Sequence, residues 1–497
     1  MQSEFDHYVD RKIAYYAVAA CFCLPDFIDK HISMRHISIF GTSSDAGKST
    51  LTFVIAKILQ DAGVRVAPFK AQNVSNNARV CDDGSEIAIA QSFQAEVLGI
   101  PTSYHLNPIL LKSGVNGRAL VIVEGKVISQ QHVLEYYRDL DQLKPAVQRC
   151  FEYLAEHYDC VVAEGAGSPV ELNLIDKDLS NLFIAETYRT KIILVADIEK
   201  GGVFASVWGT YNLLPAHLRD SVIGVIINKF RGDLSLFDEG IHIIQEKFKI
   251  PVLGVLPYMP FNLGFEDNAS LQNFVQQPSQ KKIAIGVIAY PYMSNYNDFE
   301  PLIADDEVLL EFINSPISLE RFDLVILPGS KLVIQDLNWL KQNGLFEQLQ
   351  QRKKAIFAIC GGYEMLFQNL NDPEQVENPQ PTTAEGLGFI DDDIEFIKDK
   401  ILAKKIYTIF DMPIEGFEMH HGVSKKYPLY FQHEHIQGSF IHQIFDHNAF
   451  RSKYLGSIST DYQGFDFQRY KTEKIKDFVE QCRQRLNINL ILDAIQV

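Results

Sequence analysis

The sequence lacks a run long and apolar enough to cross a membrane, a zinc-type cysteine spacing and any surplus of positive charge. Lys and Arg number 46 against 63 Asp and Glu, a formal net charge of −17. That balance argues against a general nucleic-acid or polyanion binder, while leaving room for a local anion site. Seven cysteines stand at 21, 23, 81, 150, 160, 360 and 482. So scattered, they form neither a metal-ligand set nor a disulfide framework, and they point to a reducing, cytoplasmic setting. The apolar run KIAYYAVAACFCL at 12–24 imitates a signal peptide. It is too short for a comfortable membrane span and has no obvious small-residue cleavage site. Residues 1–33 are read as an N-terminal extension of unknown role, with Met34 as an alternative initiator. Internal repeats are also missing.

What is present is a long globular chain. Its 497 residues exceed one ordinary core, and 46% apolar and 22% charged residues are globular values. From residue 36 the pattern alternates strand, loop and helix. Strands read at HISIF (36–40), VRVAPF (64–69), CVVA (160–163), IILVA (192–196) and VIGVII (222–227). Such alternation predicts a parallel sheet covered on both faces. The composition changes at VQQPSQKK (275–282), which reads as a linker, and alternation restarts at IAIGVIAY (283–290), LVILP (324–328) and AIFAIC (355–360). The polar, proline-rich stretch 371–382 reads as a loop, and a charged periodic helix is expected near 472–486. The expected division is a domain at 34–274, a linker at 275–282, a second domain at 283–451 and a helical tail at 452–497.

GTSSDAGKST follows the first strand and opens the first helix. Glycines keep side chains away so that backbone N–H groups can surround phosphates. The helix N-terminus adds a favourable dipole, worth roughly 0.3–1 kcal/mol per charge at exposed sites. Gly41, Thr42, Ser43, Asp45, Ala46, Gly47, Lys48, Ser49 and Thr50 are the candidate cradle for ATP. In it Lys48 would reach the β/γ phosphates and the Ser49 hydroxyl would ligate Mg²⁺. Five residues separate Gly41 from Gly47, one more than the usual pattern. Partition-type ATPases carry a lysine near the start of this loop. Thr42, Ser43 and Ser44 stand there instead. Glu164, at the end of an apolar strand, faces the ligand crevice as a Mg²⁺ ligand or water-orienting group, unless it is a solvated loop carboxylate. Asp197 ends another strand. Asn228 and Lys229 follow VIGVII, where they either contact a nucleotide base or simply end the strand.

AIFAICGGYEML (355–366) drives a buried strand into a cysteine and two glycines. A sharp strand-to-helix turn there would lift the Cys360 thiol out of the sheet and aim backbone N–H groups at a developing oxyanion. The alternative is a buried cysteine beside a glycine turn.

Taken together, these segments resemble the cobyric acid synthase family, the glutamine-dependent amidotransferases of cobalamin biosynthesis. The resemblance spans roughly residues 36–450. It rests on GTSSDAGKS, PFKAQNVSNN, GSEIAIAQSFQA, NPILLK, VVAEGAGSPVELNL, VADIEKGGVFAS, GVIINKFRGD, LPGSKLVIQDL, AICGGYEML, GFEMHHG and GSFIHQIF, in the family's order. It implies an α/β protein of two domains. The N-terminal one would be a dethiobiotin-synthetase-like P-loop sheet, the C-terminal one a class I, flavodoxin-like glutamine amidotransferase. The implied reaction uses L-glutamine and ATP with Mg²⁺ to amidate four carboxylates of adenosylcobyrinic acid a,c-diamide, giving adenosylcobyric acid.

Residue by residue, the resemblance makes Cys360 the nucleophile and His442 its base, with oxyanion donors at Gly361 and near Gly329. His420 matches a family histidine of less defined role. Many class I amidotransferases carry a glutamate two residues after the histidine. Here Gln443 and Ile444 follow, so a dyad is expected, with the imidazole oriented by an unnamed group. Lys70, Lys112 and Arg118 are candidate contacts for the corrinoid carboxylates, against a reading as surface-turn residues. Cobyrinic acid a,c-diamide synthase shares the two-domain plan, and PFKAQN disfavours it. A nucleotide-dependent regulatory protein with a vestigial glutaminase domain is disfavoured by intact Lys48, Cys360 and His442. No nucleic-acid partner and no stable membrane insertion are expected, and the sequence leaves the oligomeric state open.

Overall fold

The computed structural model describes residues 36–113, 118–138, 140–261, 263–264 and 281–496. The expected extension 1–33, Met34 and most of the expected linker lie outside the described residues. The described chain packs as two compact units, each discontinuous in sequence.

The first unit holds residues 36–71, 140–259 and 479–496. Its sheet has six strands: β1 (Ile37–Gly41), β2 (Val66–Phe69), β3 (Cys160–Glu164), β4 (Lys191–Asp197), β5 (Val222–Phe230) and β6 (Val252–Pro257). They run in the order β6-β5-β4-β1-β3-β2, every neighbouring pair parallel. The strands are apolar because both faces are covered. β1 and β3 are buried along their whole length. The sequence runs from β1 to β2 on one side and to β4 on the other, so the order reverses around β1. The carboxyl end of such a central strand opens the crevice where ligands bind. Gly41, Glu164 and Asp197 end β1, β3 and β4.

The second unit holds residues 72–138, 260–264 and 281–478 among those described. Its main sheet comprises β7 (Ile283–Ile288), β8 (Val308–Ile313), β9 (Leu324–Leu327), β10 (Ala355–Ile359), β11 (Tyr430–His433) and β12 (Ile436–Ser439), in the order β8-β7-β9-β10-β12-β11. All pairs are parallel except the edge pair β11–β12. A long hairpin, Ile394–Ile409 with Met412–Val423, extends beside it.

The sequence reading expected contiguous domains at 34–274 and 283–451. The chain departs from that pattern because residues 72–138 carry their apolar side chains to the second unit. Ala78, Val80, Ala88, Leu110 and Ile122 share one buried cluster with Phe417 and Met419 of the hairpin. The tail is likewise divided. Helix Asn448–Ile458 starts before the expected boundary, the charged helix expected near 472–486 runs over Phe467–Arg483, and helix Ile488–Ile495 belongs to the first unit.

Candidate active site

In the first unit the loop after β1 turns on Asp45 (φ 57°) and Gly47 (φ 99°) before helix Lys48–Asp61 begins. Lys48 is buried and folds back over Gly41, donating from Nζ to the Ser43 carbonyl at 3.1 Å. A Cβ on Gly41 would lie 2.7 Å from that ammonium and equally 2.7 Å from the rigid Ser43 carbonyl oxygen, so glycine is required there. Thr42 N–H donates to the Val195 carbonyl at 2.9 Å, tying the loop to β4. Asn228 Nδ2 donates to the Ala46 carbonyl at 2.9 Å, and Lys229 Nζ to the Asp45 carbonyl at 2.6 Å. Lys229 also pairs with Asp197 at 3.0 Å. Two strand ends thus buttress the loop from below. Thr50 lies in the first turn of the helix.

Ser49 Oγ donates to Glu164 Oε1 at 2.6 Å, and Lys70 Nζ lies 2.8 Å from the same oxygen. A hydroxyl and a carboxylate oxygen side by side at a phosphate loop form a hard-oxygen donor pair. Mg²⁺ characteristically takes one or two such protein ligands beside substrate phosphates and water, so these residues fit it.

In the second unit β10 ends at Ile359, and Cys360 adopts φ 51°, ψ −111° before helix Gly361–Glu364. A non-glycine residue in that conformation is strained, and such strain gathers at functional sites. The turn is tight. A Cβ at Gly361 would stand 2.7 Å from the Ser330 backbone nitrogen. Cys360 is 6% exposed, and its Sγ is 3.5 Å from the Met419 carbonyl oxygen.

His442 reaches the same site from the segment after β12. Its Nδ1 lies 2.7 Å from Asp298 Oδ2, and the Gln443 N–H donates to Asp298 Oδ1 at 2.8 Å. Asn295 Nδ2 stands 3.2 Å from His442 Nε2, while Asn295 Oδ1 accepts from Ala78 N–H at 3.3 Å. The Asn295 N–H in turn donates to Asn77 Oδ1 at 2.7 Å. Burial alone would lower the His442 pKa. The Asp298 and Cys360 charges and hydrogen bonds outweigh it and raise the value to about 10. A Cβ on Gly329 would lie 3.2 Å from the imidazole Cε1. Cys360 and His442 line one recess of about 500 Å³, open mouth included.

Comparison with known proteins finds both kinds of domain, each over a contiguous stretch of the chain. Residues 37–262 match the CobQ/CobB/MinD/ParA nucleotide binding domain, and residues 284–450 match the CobB/CobQ-like glutamine amidotransferase domain. A cobyric acid synthase of Acinetobacter baylyi is 83% identical over 463 residues, covering 93% of this chain and all of that protein. The chain belongs to the cobyric acid synthase family. Family members from Chlorobium phaeobacteroides and Yersinia enterocolitica are 37% and 36% identical, covering 93% and 92% of this chain and 99% and 97% of theirs. As a family member, the chain is an amide-forming enzyme of cobalamin biosynthesis with a nucleotide-binding domain and a glutamine amidotransferase domain. Among the described residues no helix is long and apolar enough to cross a membrane.

Against this family frame, several expected residues have different surroundings from those anticipated. Lys70 and Lys112 do not stand in surface turns. Both are buried, Lys70 on Glu164 and Lys112 on Glu86, and Lys400 also pairs with Glu86 at 2.8 Å. Arg118 begins strand Arg118–Val123 and is exposed. His420 lines the recess, stacks on Phe440 at 3.7 Å and donates from Nδ1 to the Gly422 carbonyl at 2.7 Å.

The unnamed group expected to orient the imidazole corresponds in position to Asp298, whose carboxylate meets His442 Nδ1 and which sequence reasoning did not identify. It sits 144 residues upstream in a single 3-10 turn, Tyr296–Phe299, with no strand end or glycine motif to mark it.

Proposed function

We propose that this chain converts adenosylcobyrinic acid a,c-diamide to adenosylcobyric acid, amidating four peripheral carboxylates with glutamine as ammonia donor and ATP as activator. The observation that carries the reading is the grouping of a strained Cys360, an imidazole and a carboxylate in one recess.

On this reading His442 already holds the proton given up by Cys360, in keeping with its raised pKa, as the sulfur attacks the side-chain amide carbon of glutamine. Asp298 holds the imidazole by Nδ1, leaving Nε2 for proton transfer, and stabilises the imidazolium. The N–H of Gly361 and that of Ser330 beside Gly329 receive the oxyanion. Each such donor is typically worth roughly 2.7–4 kcal/mol in the transition state. His442 then returns the proton to the departing ammonia, and water releases glutamate from the thioester.

In the nucleotide-binding unit, the loop N–H groups and Lys48 would hold the ATP phosphates. Ser49 and Glu164 would hold Mg²⁺, which supplies charge neutralisation on them. A carboxylate is a poor electrophile. Phosphoryl transfer makes it an acyl phosphate, which ammonia displaces to give amide and phosphate. The reading places this chemistry in the cytoplasm.

Mass spectrometry of a reaction containing the a,c-diamide, ATP, Mg²⁺ and glutamine tests the assignment. Four successive replacements of carboxylate by amide are expected. An unchanged a,c-diamide, or amidation of only the undiamidated corrinoid, overturns it.

A further inference from the structure

The recess that holds Cys360 and His442 is also lined by charged groups that the thiol chemistry does not use. Lys331, Lys400, Lys112, Glu377 and Glu364 line it, all within the second unit. Two of the lysines are already engaged, since Lys112 and Lys400 both pair with Glu86. Burial alone would raise the Glu86 carboxyl, but these lysines outweigh it and hold it well below the carboxylate range. One carboxylate thus faces two lysines, with burial pushing the Lys112 pKa down to about 7.

Lys331 adds a third lysine. Its backbone is anchored, the N–H donating to the Tyr292 carbonyl at 2.8 Å. Its ammonium has no carboxylate within ion-pair distance among the described residues. Burial, and after it the Lys400 charge, lower the Lys331 pKa, so an arriving carboxylate gains more here than at a solvated lysine. His421 senses the same field. Burial, then Lys400 and Lys331, push its pKa down to about 3.

Glu377 lines the same recess as Lys331 and is fixed by the Ile334 N–H, which donates to Oε2 at 3.2 Å. Burial raises both carboxyls in the recess: Glu377 to about 7, which leaves it partly ionised at neutral pH, and Glu364, with the Cys360 and Glu377 charges added, well above the carboxylate range, which suits it less to bind a cation.

Glutamine has the complementary layout: an amide at one end, an α-carboxylate and an α-ammonium at the other. We propose that Lys331 receives the α-carboxylate of glutamine and Glu377 its α-ammonium, so that this recess selects a free amino acid and not merely a primary amide. The proposal rests on the reading of Cys360 as the glutaminase nucleophile.

The test uses two truncated substrates with the full-length enzyme. 4-Aminobutanamide lacks only the α-carboxylate, and glutaramate lacks only the α-amino group. The native enzyme should prefer glutamine over each by roughly 100-fold or more in kcat/KM. In Lys331→Met the preference over 4-aminobutanamide should collapse to within about fivefold, and Lys331→Arg should restore most of it. In Glu377→Gln the preference over glutaramate should collapse instead. Native enzyme that hydrolyses 4-aminobutanamide as well as glutamine overturns the proposal without any variant. So does a Lys331→Met protein whose kcat/KM falls equally for both amides while Lys331→Arg gives no recovery. Failure of the underlying reading would look different: glutamine hydrolysis would survive Cys360→Ala.

Discussion

Asp298 Oδ2 stands 2.7 Å from His442 Nδ1, although 144 residues separate the two in the chain. The same carboxylate takes the Gln443 N–H at 2.8 Å, so one side chain fixes both the ring and the backbone that carries it. A glutamate two residues after the histidine is therefore unnecessary. The carboxylate comes from the turn after β7 rather than from beyond β12.

Asp298→Asn keeps the shape of this contact and removes its charge. The imidazole can then adopt the wrong tautomer and its cation loses its partner. Glutamine-dependent amidation should fall about 10²–10⁴-fold, while amidation from added ammonia persists. Steady-state assays with each nitrogen source check this, and equal loss from both sources would rule out a role confined to glutamine hydrolysis.

The raised His442 pKa has a consequence for stability. Folding lifts it from an ordinary 6.5 to about 10, so the native state binds that proton more tightly than the unfolded chain does. The stabilisation is full below about 6.5 and disappears as pH rises through about 10. Urea midpoints of the native protein should therefore decline between pH 7 and pH 10 more steeply than those of His442→Gln. Parallel curves for the two proteins would contradict the shift.

How much of this was legible in the sequence depended on whether chemistry coincided with a local motif. Gly41 to Ser49 and Cys360 with Gly361 were readable because a turn between strand and helix needs glycine where it needs function. Glu164 and Asp197 were readable because strand ends on one edge face the crevice. Asp298 and Asn295 were not, because their contacts with His442 form only after distant segments pack. Residues 72–138 misled for a related reason. They follow β2 directly, yet their apolar faces match Phe417 and Met419, and only tertiary packing reveals that partner.

The two units should separate under substitution. Cys360→Ala removes the nucleophile and should abolish glutamine use while ammonia still supports amidation. Lys48→Ala removes the phosphate-binding ammonium and should abolish amidation from either source. Glu164→Gln should raise the Mg²⁺ concentration needed for half-maximal rate, since it weakens the oxygen pair with Ser49. Isotopically labelled ammonia reads both nitrogen routes in one experiment. A Lys48→Ala protein that still amidates with ammonia would exclude the loop from the activation step.

Gly361→Ala probes the oxyanion donors directly. The added Cβ would meet the Ser330 nitrogen at 2.7 Å and the Ser330 Cβ at 3.0 Å. The nitrogen is backbone, so relief requires the 329–331 segment or the Cys360 turn to move, and either shift misaims N–H groups at the developing charge. Loss of one aligned donor predicts a fall in kcat of about 10²–10³-fold with glutamine KM changing far less. Gly456→Ala is the control. It lies in helix Asn448–Ile458, its Cβ would meet nothing within 4 Å, and alanine there should be neutral or stabilising by up to about 1 kcal/mol. If Gly361→Ala retains native kcat while folding normally, the oxyanion is held by other groups, and the close approach of Gly361 to Ser330 serves packing alone.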